Sequence, residues 1–255
     1  MVVEPGDEAM DLKEQEAIKG DPADHWYYIS KGRAIKSLLG RRPIKKLLDV
    51  GAGSGVFSKM LTAEGRANHA TCVDPGYEAE FIGERRSDMV DFVRKVETVE
   101  ADTVLMIDVI EHVDDDVALM REYVDRATPG TRFLISVPAF QFLWSSHDEF
   151  LDHRRRYNLA NLRQSVEDAG LAPVQMRYFF GLLFPAAAAM RLVDKKHDSE
   201  NAESQLKSAP NWLNASLVAV HDLERMALFP FNRLAGVTAF CLAEKPTLAE
   251  TKAAA

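Results

Sequence analysis

The chain has little that would tie it to a special environment. Cysteine is scarce: Cys72 and Cys241 are the two in 255 residues, which excludes a disulfide-stapled scaffold. Both fall in apolar, β-favouring stretches and read as buried structural thiols. No apolar run is long enough for a membrane span. The N-terminus is acidic and polar and lacks the charged-then-apolar pattern of a secretory signal, so the expected location is the cytoplasm. Long basic runs are missing too. With a formal net charge of −8, the chain does not offer the basic face that a duplex nucleic acid requires, and no nucleic-acid partner is expected. No internal repeat is evident. Hydrophobic residues at 47% and charged residues at 27% suit one large domain, or one domain with an insertion.

The most informative stretch is Leu47-Leu48-Asp49-Val50-Gly51-Ala52-Gly53-Ser54-Gly55, an apolar strand that ends in an acid and then in alternating glycines. Val56, Phe57, Met60 and Leu61 follow on one helical face. Strand, glycine turn and helix make a nucleotide-type site at the carboxyl end of a strand. A dinucleotide fingerprint needs G-x-G-x-x-G. Counted from Gly51, its third glycine falls on Val56, which disfavours a nicotinamide cofactor. A second strand, Ala70-Thr71-Cys72-Val73, ends at Asp74-Pro75-Gly76.

These residues resemble the first motifs of class I S-adenosylmethionine-dependent methyltransferases. In that family the glycine loop, here Asp49, Gly51, Gly53 and Gly55, cradles the cofactor, and the acid at the position of Asp74 holds the ribose hydroxyls. Asp108-Val109-Ile110-Glu111-His112-Val113 is similar to the D-V-x-E-H segment after the fourth strand, which adds Asp108 to the implied cofactor contacts. Val137-Pro138-Ala139, Leu143-Trp144-Ser145, His147-Asp148-Glu149 and His153-Arg154-Arg155-Arg156-Tyr157 resemble a bacterial subgroup acting on small molecules or glycans. His25-Trp26-Tyr27, Arg33 and Pro230-Phe231 belong to the same pattern. The likeness covers residues 25–245. In the subgroup a glycine often precedes the second histidine, where this chain has Asp152.

The resemblance implies an α/β, Rossmann-like methyltransferase fold: a seven-stranded, mostly parallel sheet with helices on both faces and an antiparallel final strand; the long 181–236 connection departs from the minimal fold and reads as a helical insertion before that strand. Alternating segments predict a helix over 25–39 and strands at 46–50, 70–74, 88–92, 103–109, 132–138, 173–179 and 237–243. Further helices are expected over 116–127, 158–170 and 212–228. Residues 1–24 and 246–255 read as flexible ends. A long loop is expected from 139 to 157, and 181–236 reads as a helical lid. The lid begins with the apolar stretch Phe179 to Met190, in which Pro185 marks a helix start. The adenine contacts within 76–100 have no clear acid-bearing loop.

Transfer from a sulfonium requires an aligned acceptor and, for a hydroxyl, removal of its proton. Histidine suits that role. His112, His147 and His153 all follow sheet strands, and His147 or His153 is the favoured base. Asp108, Glu111 and His112 also resemble the E-x-x-E-H metal site of some O-methyltransferases. Glu111 and His112 are here assigned to organising the cofactor loop, with no metal, and a metal-assisted O-methyltransferase using Asp108, Glu111 and His112 is the alternative within enzymes. Trp144, Arg155 and Tyr157 are the candidate acceptor contacts. The arginines read either as an anion clamp or as partners of Asp148, Glu149 and Asp152. Trp26, Tyr27 and Tyr28 read first as helix-packing aromatics. The expected activity is S-adenosylmethionine-dependent methylation of an oxygen, or next a nitrogen, of a small-molecule or glycan-type acceptor. A non-catalytic cofactor-binding partner subunit is the alternative outside enzymes. The lid reading of 181–236 is preferred to a patch that meets a membrane surface, and the oligomeric state is not encoded legibly.

Overall fold

A computed structural model describes residues 21–79, 82, 89–193 and 210–247. The ends 1–20 and 248–255, most of the 80–88 segment and the polar linker 194–209 lie outside the described residues. The chain enters through a single 3-10 turn, Pro22–Asp24, capped by the Asp21 carboxylate, so the stretch expected to be loose is ordered at its end.

The elements alternate as the sequence pattern requires. Helix α1 (Trp26–Leu39) precedes β1 (Ile44–Val50), α2 (Val56–Ala63), β2 (Ala67–Val73), β3 (Val90–Val93) and β4 (Thr103–Ile107). Then come α3 (Asp116–Arg126), β5 (Arg132–Pro138), a short helix α4 (Ser146–Phe150), α5 (Leu159–Asp168) and β6 (Ala172–Phe179). The chain ends with α6 (Phe184–Val193), α7 (Asn211–Ala227) and β7 (Thr238–Glu244). Among the described residues no helix is long and apolar enough to cross a membrane.

The seven strands form one sheet in the order β3-β2-β1-β4-β5-β7-β6. Strand β7 runs antiparallel to both β5 and β6, and the neighbouring pairs among β1 to β5 are parallel. Strands β4 and β5 are buried along nearly their whole length, as central strands covered on both faces must be. One core face packs Met106, Phe133, Ile135, Met120, Leu162 and Val166. The other packs Ile35, Leu38, Leu47, Leu61, Leu105 and Phe240. Cys72 and Cys241 are buried and unbridged.

Strand order reverses between β1 and β4, so their carboxyl ends part and leave a crevice. This is the switch point at which open α/β sheets bind ligands. The 139–157 segment, expected as loop, contains a 3-10 turn at Gln141–Leu143 and α4. A five-residue helix has no readable periodicity. Its signature is the capping box in which Ser145 and Asp148 bond each other's backbone.

Candidate active site

The glycine loop leaves β1 with Gly51, Gly53 and Gly55 at φ of +64°, +50° and +69°. At Gly51 a Cβ would stand 2.7 Å from a Val109 methyl, so the loop after β1 can approach the loop after β4 only without a side chain. Asp49 is buried and accepts from Ser58 Oγ at 2.7 Å. Burial pushes its carboxyl up to about 7 despite that bond. Asp74, at the tip of β2, accepts from Gly76 N at 2.9 Å and from Gly53 N at 3.4 Å. Burial raises its carboxyl, and the two backbone donors work against that rise. Tyr77 donates its hydroxyl to Gly53 O at 2.6 Å, which fixes the loop from the far side.

A cavity of about 320 Å³ opens between these loops. Asp49, Gly51 and Ala52 form one wall; Asp108, Glu111 and His112 form the next. His147, His153 and Arg156 come from the segment after β5; Leu183 in the turn before α6 and Ala187 and Arg191 of α6 line the next side. Trp26, Tyr27 and Tyr28 from α1 close the remaining side. The α1 aromatics therefore face the cavity as well as pack: Trp26 stacks on His221 of α7, and Tyr27 on Phe180.

Asp108 adopts φ +55° just past β4. It accepts from Ser136 Oγ at 3.0 Å and from the ammonium of Lys31, whose side chain is 0% exposed. Lys31 also donates to Tyr27 Oη at 3.0 Å. Glu111 is different. It is fully buried, and neither carboxyl oxygen has a hydrogen-bond partner. Burial first, then the Asp108 charge, raises its carboxyl well above the ordinary range. Its carbonyl accepts from Arg154 N at 2.7 Å, clamping the β4 loop to the β5 loop.

The rings of His112 and His153 meet edge to face with centroids 4.7 Å apart. Burial, then the neighbouring His153, pulls His112 down to about 4, so it is neutral. His153 Nδ1 lies 2.8 Å from Asp148 Oδ1. Asp148 also accepts a two-pronged bond from Arg156, at 2.6 and 2.8 Å, and bonds from Ser145 N and Oγ. Burial alone would raise the Asp148 carboxyl. The bonds from His153 and Arg156 outweigh it and hold the group well below the usual carboxylate range.

All three predicted histidines thus share one cavity with Asp49, Gly51 and Asp108. Gly53, Gly55 and Asp74 lie beside it, tied to the same loop. Trp144, Arg155 and Tyr157 are placed elsewhere and do not line it. Arg155 donates to the carbonyls of Val113 and Asp114 at 2.9 and 2.6 Å. Tyr157 is buried and donates to Asp116 Oδ2 at 2.8 Å. Trp144 ends the 3-10 turn. Arg156, one residue on, takes the cavity position expected of Arg155. Asp152, standing where the resembling subgroup carries glycine, takes φ +55°, a turn that Asp tolerates better than most residues. Sequence reasoning missed Lys31, whose one signal was a lysine four residues from Tyr27 on a helix face, and the structural weight of Asp148.

A family model described as a methyltransferase domain matches residues 24–176. No curated protein matches the chain. Among solved structures, a chain of the complex between the Haloferax volcanii Trm112 methyltransferase activator and a methyltransferase aligns at TM-score 0.56 and 17% identity, over 94% of this chain and 96% of that one. Phosphoethanolamine N-methyltransferase 2 of Haemonchus contortus, solved with S-adenosyl-L-methionine, aligns at TM-score 0.54 and 16% identity, over 85% of this chain and 52% of that one. An O-methyltransferase family protein from Burkholderia thailandensis aligns at TM-score 0.54 and 12% identity, over 94% and 59%. At these identities the likeness is one of fold.

Proposed function

This chain belongs to the methyltransferase-domain family, and from that premise we propose that it transfers a methyl group from S-adenosylmethionine to an oxygen, or next a nitrogen, of a small-molecule or glycan-type acceptor. The observation that carries this reading is one cavity walled on one side by the glycine loop and on the other by His112, His147 and His153. The cofactor's place is supported by the close approach at Gly51, where a Cβ would collide with Val109, and by the acids around it. Gly51 and Gly53 offer bare backbone, Asp74 would hold the vicinal hydroxyls through its carboxylate oxygens, and Asp49 and Asp108 would face the remainder of the cofactor. When bound, the cofactor supplies a methyl group on a positively charged sulfur.

The chain's own work is alignment and proton removal. The aromatic side chains of α1, with Leu183 in the turn before α6 and Ala187 on that helix, present apolar walls that orient an acceptor and exclude water. We read α6 and α7 as a lid on that basis. An imidazole of the histidine wall takes the acceptor proton. Asp148 occupies one nitrogen of His153 and so fixes the orientation of that ring in the wall.

The test combines calorimetry with product release. The protein should bind S-adenosylhomocysteine at micromolar levels and bind little NAD, and it should release S-adenosylhomocysteine with some member of an acceptor panel. His147→Ala or His153→Ala should lower turnover about a hundredfold while cofactor affinity stays nearly constant. Tight NAD binding with no S-adenosylhomocysteine binding would overturn the reading. Full turnover in both variants would exclude His147 and His153 as the base and leave the proton to His112 or the transfer to simple proximity.

A further inference from the structure

We propose that Glu111, His112 and His153 form a site for one divalent transition-metal ion on the acceptor side of the cavity. One ligand atom from each lies within 4.8 Å of the others. Buried polar atoms are nearly always partnered. Here both Glu111 oxygens and His112 Nδ1 are buried and have no partner, and all belong to this one cluster. Their shared position makes a single cation the economical explanation. The third ligand is already prepared: Asp148 engages His153 Nδ1 at 2.8 Å, leaving Nε2 as the ligand nitrogen. A carboxylate behind a ligating histidine is the usual outer support of a metal site, and Arg156 and Ser145 hold that carboxylate in turn.

The spacing D-x-x-E-H suggests Asp108 as the third ligand, but the fold assigns it elsewhere. Asp108 is neutralised by buried Lys31 and bonded to Ser136. His153, forty-odd positions away in sequence, takes its place. Two imidazoles and one carboxylate suit zinc, cobalt, iron or manganese rather than magnesium or calcium, which take mostly oxygen ligands. Ligand bonds of about 2.0–2.2 Å require the three atoms to draw in modestly, which rotation of the unbonded Glu111 side chain allows.

Binding of the ion stands without any assumption about the acceptor; its use rests on the methyl-transfer reading. An acceptor hydroxyl on the ion would lose its proton to His147 on the same cavity wall. The oxygen pair then forms the new O–C bond as the C–S bond breaks and its electrons return to sulfur.

The test is metal analysis and equilibrium dialysis of the full chain against Zn²⁺, Co²⁺, Mn²⁺ and Mg²⁺, with Co²⁺ binding read by visible absorption. One transition ion per chain is expected, with at least tenfold selectivity over Mg²⁺. Glu111→Gln and His153→Ala should each weaken binding by more than tenfold, and Asp148→Asn by about 10–100-fold. S-adenosylhomocysteine affinity should not move in folded variants. The wild-type measurement alone decides even where a variant fails to fold: absence of stoichiometric binding overturns the site, as does binding that survives both ligand variants. Metal binding without S-adenosylhomocysteine binding would instead refute the methyltransferase reading and leave the site standing.

Discussion

Asp148 is the side chain on which the His153 and Arg156 side of the cavity depends, and removing it should be costly. Its carboxylate is 0% exposed, and Arg156 beside it is 11% exposed. Truncation to Ala leaves the guanidinium buried without its counter-charge, a loss of about 3–5 kcal/mol for a broken buried pair. It also removes the cap on α4 and the bond that sets His153. Domains of this kind hold about 5–15 kcal/mol in all, so Asp148→Ala should shift the urea midpoint strongly at neutral pH. Adding Arg156→Met to Asp148→Ala should recover part of the loss, because the stranded charge goes with it. The pH dependence has a definite sign. The folded-state pKa of Asp148 lies below its unfolded value near 3.8, so its contribution is fully present above that value and is lost as pH falls below it. The gap between wild type and Asp148→Ala should therefore hold steady from neutrality to about pH 5 and narrow as pH drops further. A near-neutral difference under about 1 kcal/mol would refute the reasoning, since that is the worth of an exposed pair.

Gly51→Ala places a methyl 2.7 Å from Val109 in a left-handed residue and should abolish S-adenosylhomocysteine binding by calorimetry in a chain that still unfolds cooperatively. Asp74→Ala should weaken the same binding by about 1–3 kcal/mol, the loss of charge-assisted hydrogen bonds. Glu224, buried in α7, accepts from Gly181 N at 2.6 Å and contacts His221 Nδ1 at 3.0 Å; Glu224→Ala should raise hydrogen exchange across the 180–193 segment, and unchanged exchange there would detach α7 from the lid. Strong sedimentation with anionic vesicles, abolished by Leu182→Glu, would contradict a lid-only role for α6 and move the acceptor to a membrane surface.

Local sequence determined whatever depends on near neighbours. The Gly51-Ala52-Gly53-Ser54-Gly55 turn, the acids closing β1 and β2, and the succession of strands and helices along the chain were legible because strand period, helix period and glycine freedom act over a few residues. The two buried cysteines and the helix start around Pro185 were legible for the same reason. Short α4 was not, because a single turn shows no period and its cap is formed by two side chains whose meaning appears only when folded. Contacts across the sheet edge were decided by tertiary structure alone. Lys31 reaches Asp108 across 77 positions, and that one ion pair removes Asp108 from the D-x-x-E-H set. Arg155 and Arg156 are adjacent and chemically identical in the chain. Arg155 is drawn to the carbonyls of Val113 and Asp114, and Arg156 to Asp148, so only the latter faces the cavity. Spacing specifies which residues leave the same strand end; which of them meet is set by where the loops after β4 and β5 cross, and there the Glu111 carbonyl binds Arg154 N and brings His153 to His112.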